Sequence, residues 1–310
     1  MAQLTRKRVI LIEAESSYGT DPTPSATDVV LVRDLSITPQ SSDVVNRDVV
    51  RPFLGASEQL LANTRVECTF SVELAGSGTA GTAPRYGSAL KACGFSETVV
   101  ANTSVTYAPV SSSFSSVTIH YNIDGVRHRV TGCRGTFVLN GAVGEIPSID
   151  FTFTGIYNNP TDTALPTVTY GNQATPLVFK NGNTSGFSLL SYSGALMNIT
   201  MDVGNSLVYR ELVGGTKEVL ITDRAANGSV TIEAPTLAQK DYFTAALTDS
   251  SLGNLAFLHG TAAGNKVQLT SSKVDIGDVA YGEADGVAML EIPYTLVPTA
   301  ANNEVSLIYT

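Results

Sequence analysis

The sequence predicts a mainly β protein made of two homologous antiparallel domains, sandwich- or barrel-like, each with one short α-helix. Three observations carry that prediction. First, two distant stretches end alike. Arg127-His128-Arg129-Val130-Thr131, Arg134-Gly135-Thr136-Phe137, Gly144-Glu145 and Ile149-Asp150-Phe151-Thr152-Phe153-Thr154 form the first copy. Lys266-Val267-Gln268-Leu269-Thr270, Lys273-Val274-Asp275-Ile276, Gly282-Glu283 and Leu290-Glu291-Ile292-Pro293-Tyr294-Thr295 form the second. The offset of about 140 residues is the size of a domain rather than of a solenoid repeat. Second, several segments alternate apolar and polar residues with period two, as strands with one wetted face do. Third, the composition is 43% hydrophobic and 15% charged, lacks Trp and is rich in Thr, Ser, Gly and β-branched residues. That bias suits half-buried strands joined by tight turns.

Residues 1–27 read as an extended N-terminal arm. The prolines of Tyr18-Gly19-Thr20-Asp21-Pro22-Thr23-Pro24 remove amide donors and push their predecessors out of the helical region. The first domain is expected over 28–160, opening with a strand at 29–37. A long excursion at 39–62 follows, a length unusual between strands unless the segment binds something. Val66, Cys68, Phe70, Val72 and Leu74 then alternate with Glu67, Thr69, Ser71 and Glu73 as a strand. A Gly-rich loop leads into a helix from Pro84, with Tyr86, Ala89, Leu90 and Cys93 as its apolar stripe and Gly94 at its C-terminal end. Val117, Ile119, Tyr121 and Ile123 alternate before a turn at Asp124-Gly125, and the first repeated ending closes the domain. A connecting segment, 161–193, is rich in Thr, Asn, Gly and Pro, with a turn at Asn181-Gly182. The second domain, 194–310, replays the order with strands at 195–202, 207–213, 217–222 and 228–233. Thr236-Leu237-Ala238-Gln239 is a capping-box pattern opening a helix through Leu247, and strands at 255–258, 266–270 and 290–296 complete the set.

The formal charge is −9. Residues 1–160 hold 12 Lys and Arg against 14 Asp and Glu, and residues 161–310 hold 7 against 14, so the second half carries most of the negative charge. Tight binding of nucleic acid needs clustered cations to release counterions, and only Arg6-Lys7-Arg8 forms a cluster. Cys68, Cys93 and Cys133 are odd in number and widely spaced, which suits reduced core thiols better than disulfides or a metal. Glu13 and Glu15 interrupt the apolar run Val9-Ile10-Leu11-Ile12 before it reaches the length of a signal sequence or membrane span. Synthesis and retention in a cytoplasm are expected, with no membrane partner.

Catalytic constellations are scarce. Gly76-Ser77-Gly78-Thr79-Ala80-Gly81 satisfies G-x-G-x-x-G between a strand and a helix and would suggest a dinucleotide. The preceding strand alternates instead of being apolar on both faces, and no βαβ rhythm follows, so a structural turn is the better reading. His120, His128 and His259 stand apart from metal-ligand spacings, and no nucleophile elbow occurs. No enzyme activity, cofactor or metal is therefore expected. Arg47, Arg51, Phe53, Leu54, Glu58 and Arg65 gather in or beside the 39–62 excursion. They read either as a solvated loop or as an arm whose charges and apolar anchors dock on a neighbouring subunit.

Several tracts resemble tail tube (major tail) proteins of long-tailed, non-contractile bacteriophages. They are Glu15 to Pro24, Arg51-Pro52-Phe53-Leu54-Gly55, Val72 to Pro84, Ala92-Cys93-Gly94 and the Asp124-Gly125 turn. The resemblance spans most of the first half and, more loosely, the second. It implies sandwich-like domains arranged six to a ring, rings that stack, and inner strands merging into a barrel through which genome DNA passes without specific binding. It also implies that the 39–62 excursion and the arm, with Tyr18, make contacts between rings or subunits. Self-assembly and contacts with the tape measure, tail terminator and distal tail proteins follow from it, as does a place in the virion tail.

Two homologous domains per chain would let three chains build a pseudo-sixfold, homotrimeric ring. The alternative is a hexameric ring with the second domain displayed outside. Two readings of other classes are a dinucleotide enzyme built on residues 76–81 and a secreted binding module.

Overall fold

The alternating tracts are strands in the computed structural model, which describes residues 3–248 and 252–310. The first half contains β1 (Arg8–Ala14), β2 (Arg33–Asn46), β3 (Gln59–Glu73), α1 (Gly87–Ala92), β4 (Phe95–Val100) and β5 (Ser104–Pro109). It continues with β6 (Val117–Ile123), β7 (Val126–Ala142), β8 (Ser148–Tyr157) and β9 (Thr161–Asp162). The second half contains β10 (Thr184–Leu189), β11 (Leu196–Asp202), β12 (Asn205–Glu211), β13 (Lys217–Arg224), β14 (Asn227–Glu233) and α2 (Tyr242–Ala246). It closes with β15 (Gly253–His259), β16 (Val267–Ile276), β17 (Ala280–Ala284), β18 (Val287–Leu296) and β19 (Ser306–Tyr309). The protein is mainly β, with two short α-helices among the described residues.

The halves share one pairing order. Strands of the first run β1-β6-β7-β8-β3-β2, every neighbour antiparallel. Those of the second run β10-β15-β16-β18-β14-β11, again antiparallel throughout. After each set the chain returns to an earlier strand, β9 to β7 and β19 to β16. Two joints tie the halves together. β7 pairs with β11 from Val138 opposite Asp202 to Ala142 opposite Asn198, and β19 also pairs with β5. One hydrophobic core therefore runs through both halves, holding Phe70, Phe137, Phe151 and Phe153 together with Ile199, Val230, Phe257, Leu269 and Ile292.

Four differences from the sequence reading have physical causes. Residues 8–14, expected in an extended arm, form β1, paired with β6 and burying Ile10, Leu11 and Ile12. An apolar run too short for a membrane is long enough for one core strand. Glu15, which looked like an interruption, accepts hydrogen bonds from the amides of Gly19 and Gly132 (both 2.7 Å) and the hydroxyls of Ser116 (2.6 Å) and Thr118 (2.7 Å). Half of the excursion at 39–62 is strand, because β2 and β3 stay paired as far as Asn46 and Gln59. The expected first strand, 29–37, thus begins later and runs on to Asn46.

Helix α2 starts after the expected capping box. Thr236 and Gln239 do bond reciprocally in a turn, but Asp241 caps the helix by accepting the Thr244 amide at 2.9 Å. Finally, the repeat aligns Gly282-Glu283 with Gly144-Glu145, expecting a turn at both, but Gly282-Glu283 lies inside β17 and the chain reverses at Asp285-Gly286, where both φ angles are positive (52° and 80°). Asp-Gly supplies the geometry that a two-residue hairpin turn needs.

Candidate functional site

Two surfaces stand out once the core is accounted for: a projecting hairpin and a broad polar sheet face. The hairpin is the distal part of β2 and β3 with the irregular tip at 47–58. Val44 lies opposite Leu61 and Val45 opposite Leu60, so apolar side chains occupy both faces of a two-stranded ribbon. All four are half exposed, at 49–57%. At the tip Val50 and Leu54 are fully exposed and Phe53 is 65% exposed. Arg47 pairs with Glu58 across the tip, and Arg65 at the base reaches Asp43 (3.2 Å) and Glu67 (3.6 Å). Hydrogen bonds from Asn63 and Arg65 hold the Asp43 carboxyl below the usual carboxylate range. A long apolar ribbon with both faces in water is a docking element or an aggregation hazard.

The other half of the chain carries a counterpart. The β12–β13 hairpin lies between β11 and β14 as the tip lies between β2 and β3, and it is folded back onto the protein. Arg134 Nη1 donates to the Val219 carbonyl (2.7 Å), and Asn205 Nδ2 donates to the carbonyls of Cys93 (2.7 Å) and Gly135 (2.9 Å). Arg224 Nε donates to Glu304 (2.7 Å) from the base of β13. Of two topologically equivalent hairpins, one has found its seat and the other projects.

The candidate residues do not form one cluster. Arg47, Arg51, Phe53, Leu54 and Glu58 share the tip. Tyr18 lies elsewhere, at the seat of the β12–β13 hairpin. Its hydroxyl donates to the Gly132 carbonyl (3.0 Å) and accepts the Val219 amide (2.6 Å), and the Arg134 guanidinium lies 4.8 Å from its ring centroid. Burial pushes its phenol up to about 12 against the opposing pull of the Val219 amide and Arg134. Tyr18 is an internal latch between the N-terminal segment and the second half.

The polar face covers the sheet β3-β8-β7-β11-β14-β18. Cross-strand registers align its side chains in rows. One row reads Ser71, Asp150, Val138, Asp202, Asn227 and Thr295. The next rows carry Asn140, Thr200, Ser229 and Pro293, then Ala142, Asn198, Thr231 and Glu291. Glu73, Glu233 and Asp275 add carboxylates on this side, and no Lys or Arg occupies these rows among the described residues; Arg65, Glu67 and Arg134 share the same face beyond them. The side chains satisfy one another: Asn140 Nδ2 donates to Asp150 Oδ2 (2.7 Å), and the hydroxyls of Thr200 and Ser229 lie 3.0 Å apart. The reverse face buries Phe70, Phe151, Phe137, Ile199, Val230 and Ile292. Alternation in the sequence marked these polar positions, but the long-range pairing that joins them into one acidic, hydroxyl-rich face could not be read from it.

The Gly-rich loop at 76–81 is packing. The Gly78 amide donates to the Gly264 carbonyl (2.9 Å) and the Gly76 amide to Asn265 Oδ1 (2.9 Å). A Cβ on Gly76 would stand 2.1 Å from the Gly264 oxygen, so glycine is required for the second half to approach. These amides face protein acceptors, not an open phosphate cradle. Two of the histidines are likewise structural. Buried His120 lies 3.1 Å from Asp21 Oδ2, and His259 Nε2 donates to the Leu177 carbonyl (3.1 Å) while its ring stacks on Phe179. Burial lowers the pKa of both. All three cysteines are buried free thiols, and no group of three or more potential metal ligands occurs among the described residues. No described helix is long and apolar enough to cross a membrane.

A protein-family model described as phage tail tube protein matches residues 5–296 of the chain. No curated protein matches it.

Proposed function

The chain belongs to the phage tail tube protein family, and from that membership we propose that three copies form a pseudo-sixfold ring, that rings stack into a hollow tube, and that genome DNA passes through it. It is a structural protein of the virion tail. The observation that carries the ring proposal is the doubled pairing order, β1-β6-β7-β8-β3-β2 and β10-β15-β16-β18-β14-β11. A chain holding two copies of one assembly unit fills two equivalent positions of a symmetric ring. The β7–β11 pairing places strands of both copies in one sheet, which favours a shared wall over a second half displayed outside.

The acidic face is the proposed lumen wall. Its carboxylates repel phosphate, and its hydroxyls and amides keep it wetted without offering the cation clusters that would hold DNA in place. The projecting hairpin, with Arg47, Arg51, Phe53, Leu54 and Glu58 at its tip, is the proposed contact with the adjacent ring. The tape measure, terminator and distal tail proteins are the further partners at the tube's axis and ends. Native mass measurement of rings released from tubes tests the stoichiometry. Three chains support the proposal; six chains per ring overturn it.

A further inference from the structure

The joint inside the chain has unpaired counterparts elsewhere in the fold. β7 binds β11 with Val138, Leu139 and Asn140 opposite Asp202, Met201 and Thr200. Each partner has a counterpart in the other half. β17 pairs with β18 as the end of β7 pairs with β8: Ala280 faces Glu291, and Val138 faces Asp150, at corresponding places of the repeated ending. β2 pairs with β3 as β11 pairs with β14: Thr38 faces Glu67, and Asp202 faces Asn227.

Among the described residues the outer edges of β17 and β2 have no strand partner. The burial pattern points to what is missing. Leu139 and Met201, which meet at the internal joint, are both fully buried. Their counterparts are Tyr281, 68% exposed on an edge strand, and Ile37, half-buried. The faces match as well, since Leu35-Ser36-Ile37-Thr38 repeats the apolar–polar alternation of Ile199-Thr200-Met201-Asp202.

We infer that β17 of one chain pairs antiparallel with β2 of a second copy, with Ala280 opposite Thr38, Tyr281 opposite Ile37 and Gly282 opposite Ser36. The pairing continues the sheet of one copy into the next and buries Tyr281 between Phe243, whose ring centroid lies 5.3 Å away, and the neighbour's Ile37. It rests on the tube reading above and adds the strands and register through which a ring closes.

The test is oxidative cross-linking of assembled tubes made from the Tyr281→Cys/Ile37→Cys double variant. Two controls accompany it, Tyr281→Cys/Leu35→Cys, shifted by two residues, and each single variant. Directly opposed strand positions place Cβ atoms about 4.5–5.5 Å apart, within disulfide reach, whereas a two-residue shift does not. The native thiols are buried and do not compete. Covalent closed rings from the 281/37 pair, and at least tenfold less product from the 281/35 pair, support the register. Preferential 281/35 linkage, or none from either pair in intact tubes, overturns the register while leaving the tube reading in place. Closed covalent hexamers would instead sustain the register and overturn the threefold ring. Hydrogen exchange on the unmodified protein gives a readout that does not depend on the variants. Amides of residues 35–38 and 280–283 are expected to slow at least a hundredfold on assembly, and unchanged exchange there refutes the pairing.

Discussion

Replacing Phe53 and Leu54 together with Ala should abolish tube growth while leaving the subunit folded. Leu54 is fully exposed in the isolated chain, so folding gains nothing from burying it. If it is buried in the next ring, the three carbons lost on truncation are worth about 0.8 kcal/mol each, or about 2.4 kcal/mol. Phe53 is 65% exposed, and losing the burial of that exposed surface adds about 2 kcal/mol. Together they weaken each hairpin contact by about 4 kcal/mol, a factor of about 10³ in its equilibrium constant. The critical concentration for growth, measured by pelleting tubes across a dilution series, should rise out of the accessible range. Thermal unfolding of the unassembled subunit should shift by no more than about 0.5 kcal/mol, as for a surface substitution. An unchanged critical concentration refutes the assignment of the tip to a contact. A large loss of subunit stability would show instead that the tip packs on its own chain.

Other consequences follow from the same geometry. Asp150→Lys with Glu291→Lys places cations on the proposed lumen wall, so DNA ejection from particles should slow, most at low salt, with tube assembly preserved; ejection rates that ignore both the substitutions and ionic strength contradict the wall assignment. Gly76→Ala drives a methyl group into the Gly264 carbonyl and should destabilise the subunit by about 1–3 kcal/mol, read from denaturant unfolding; a neutral result would mean that the halves separate easily. Acid should weaken the fold through His120 and His259, whose pKa values burial lowers. Unfolded histidine takes a proton near pH 6.5 while these two do not, so their contribution is intact above that pH and is lost as pH falls toward their depressed values. The slope for each cannot exceed about 1.4 kcal/mol per pH unit. Asp21 and Arg129 face His120, and Thr184 and the Leu177 carbonyl face His259. His120→Gln/His259→Gln should flatten the fall of stability below about pH 6.5, and an unchanged profile refutes the source.

Much of the fold was legible because period-two alternation survives wherever a strand has one dry face. Val66 to Leu74 and the two repeated endings read directly as strands β3, β8 and β18 for that reason. What escaped depended on partners far along the chain. The four donors to Glu15 come from residues 19, 116, 118 and 132, so a bonded acceptor reads in the sequence as a break in an apolar run. The short β17 carries Gly and Glu within it, which imitates a turn until its pairing with β18 is seen. The intrachain bonds of the Tyr18 hydroxyl to Gly132 and Val219 likewise join residues far apart in the sequence. The apolar anchors of the tip were visible as residues, but their exposure was not. That exposure appears only when the core has been filled without them.

The central claim is that one chain supplies two units of the tube wall, and imaging a tube tests it most directly. Helical reconstruction by cryo-electron microscopy is predicted to show rings of three chains with near-sixfold walls, each chain contributing β3, β8, β7, β11, β14 and β18 to one continuous inner sheet. Rings of six chains whose second halves stand outside the wall would contradict it.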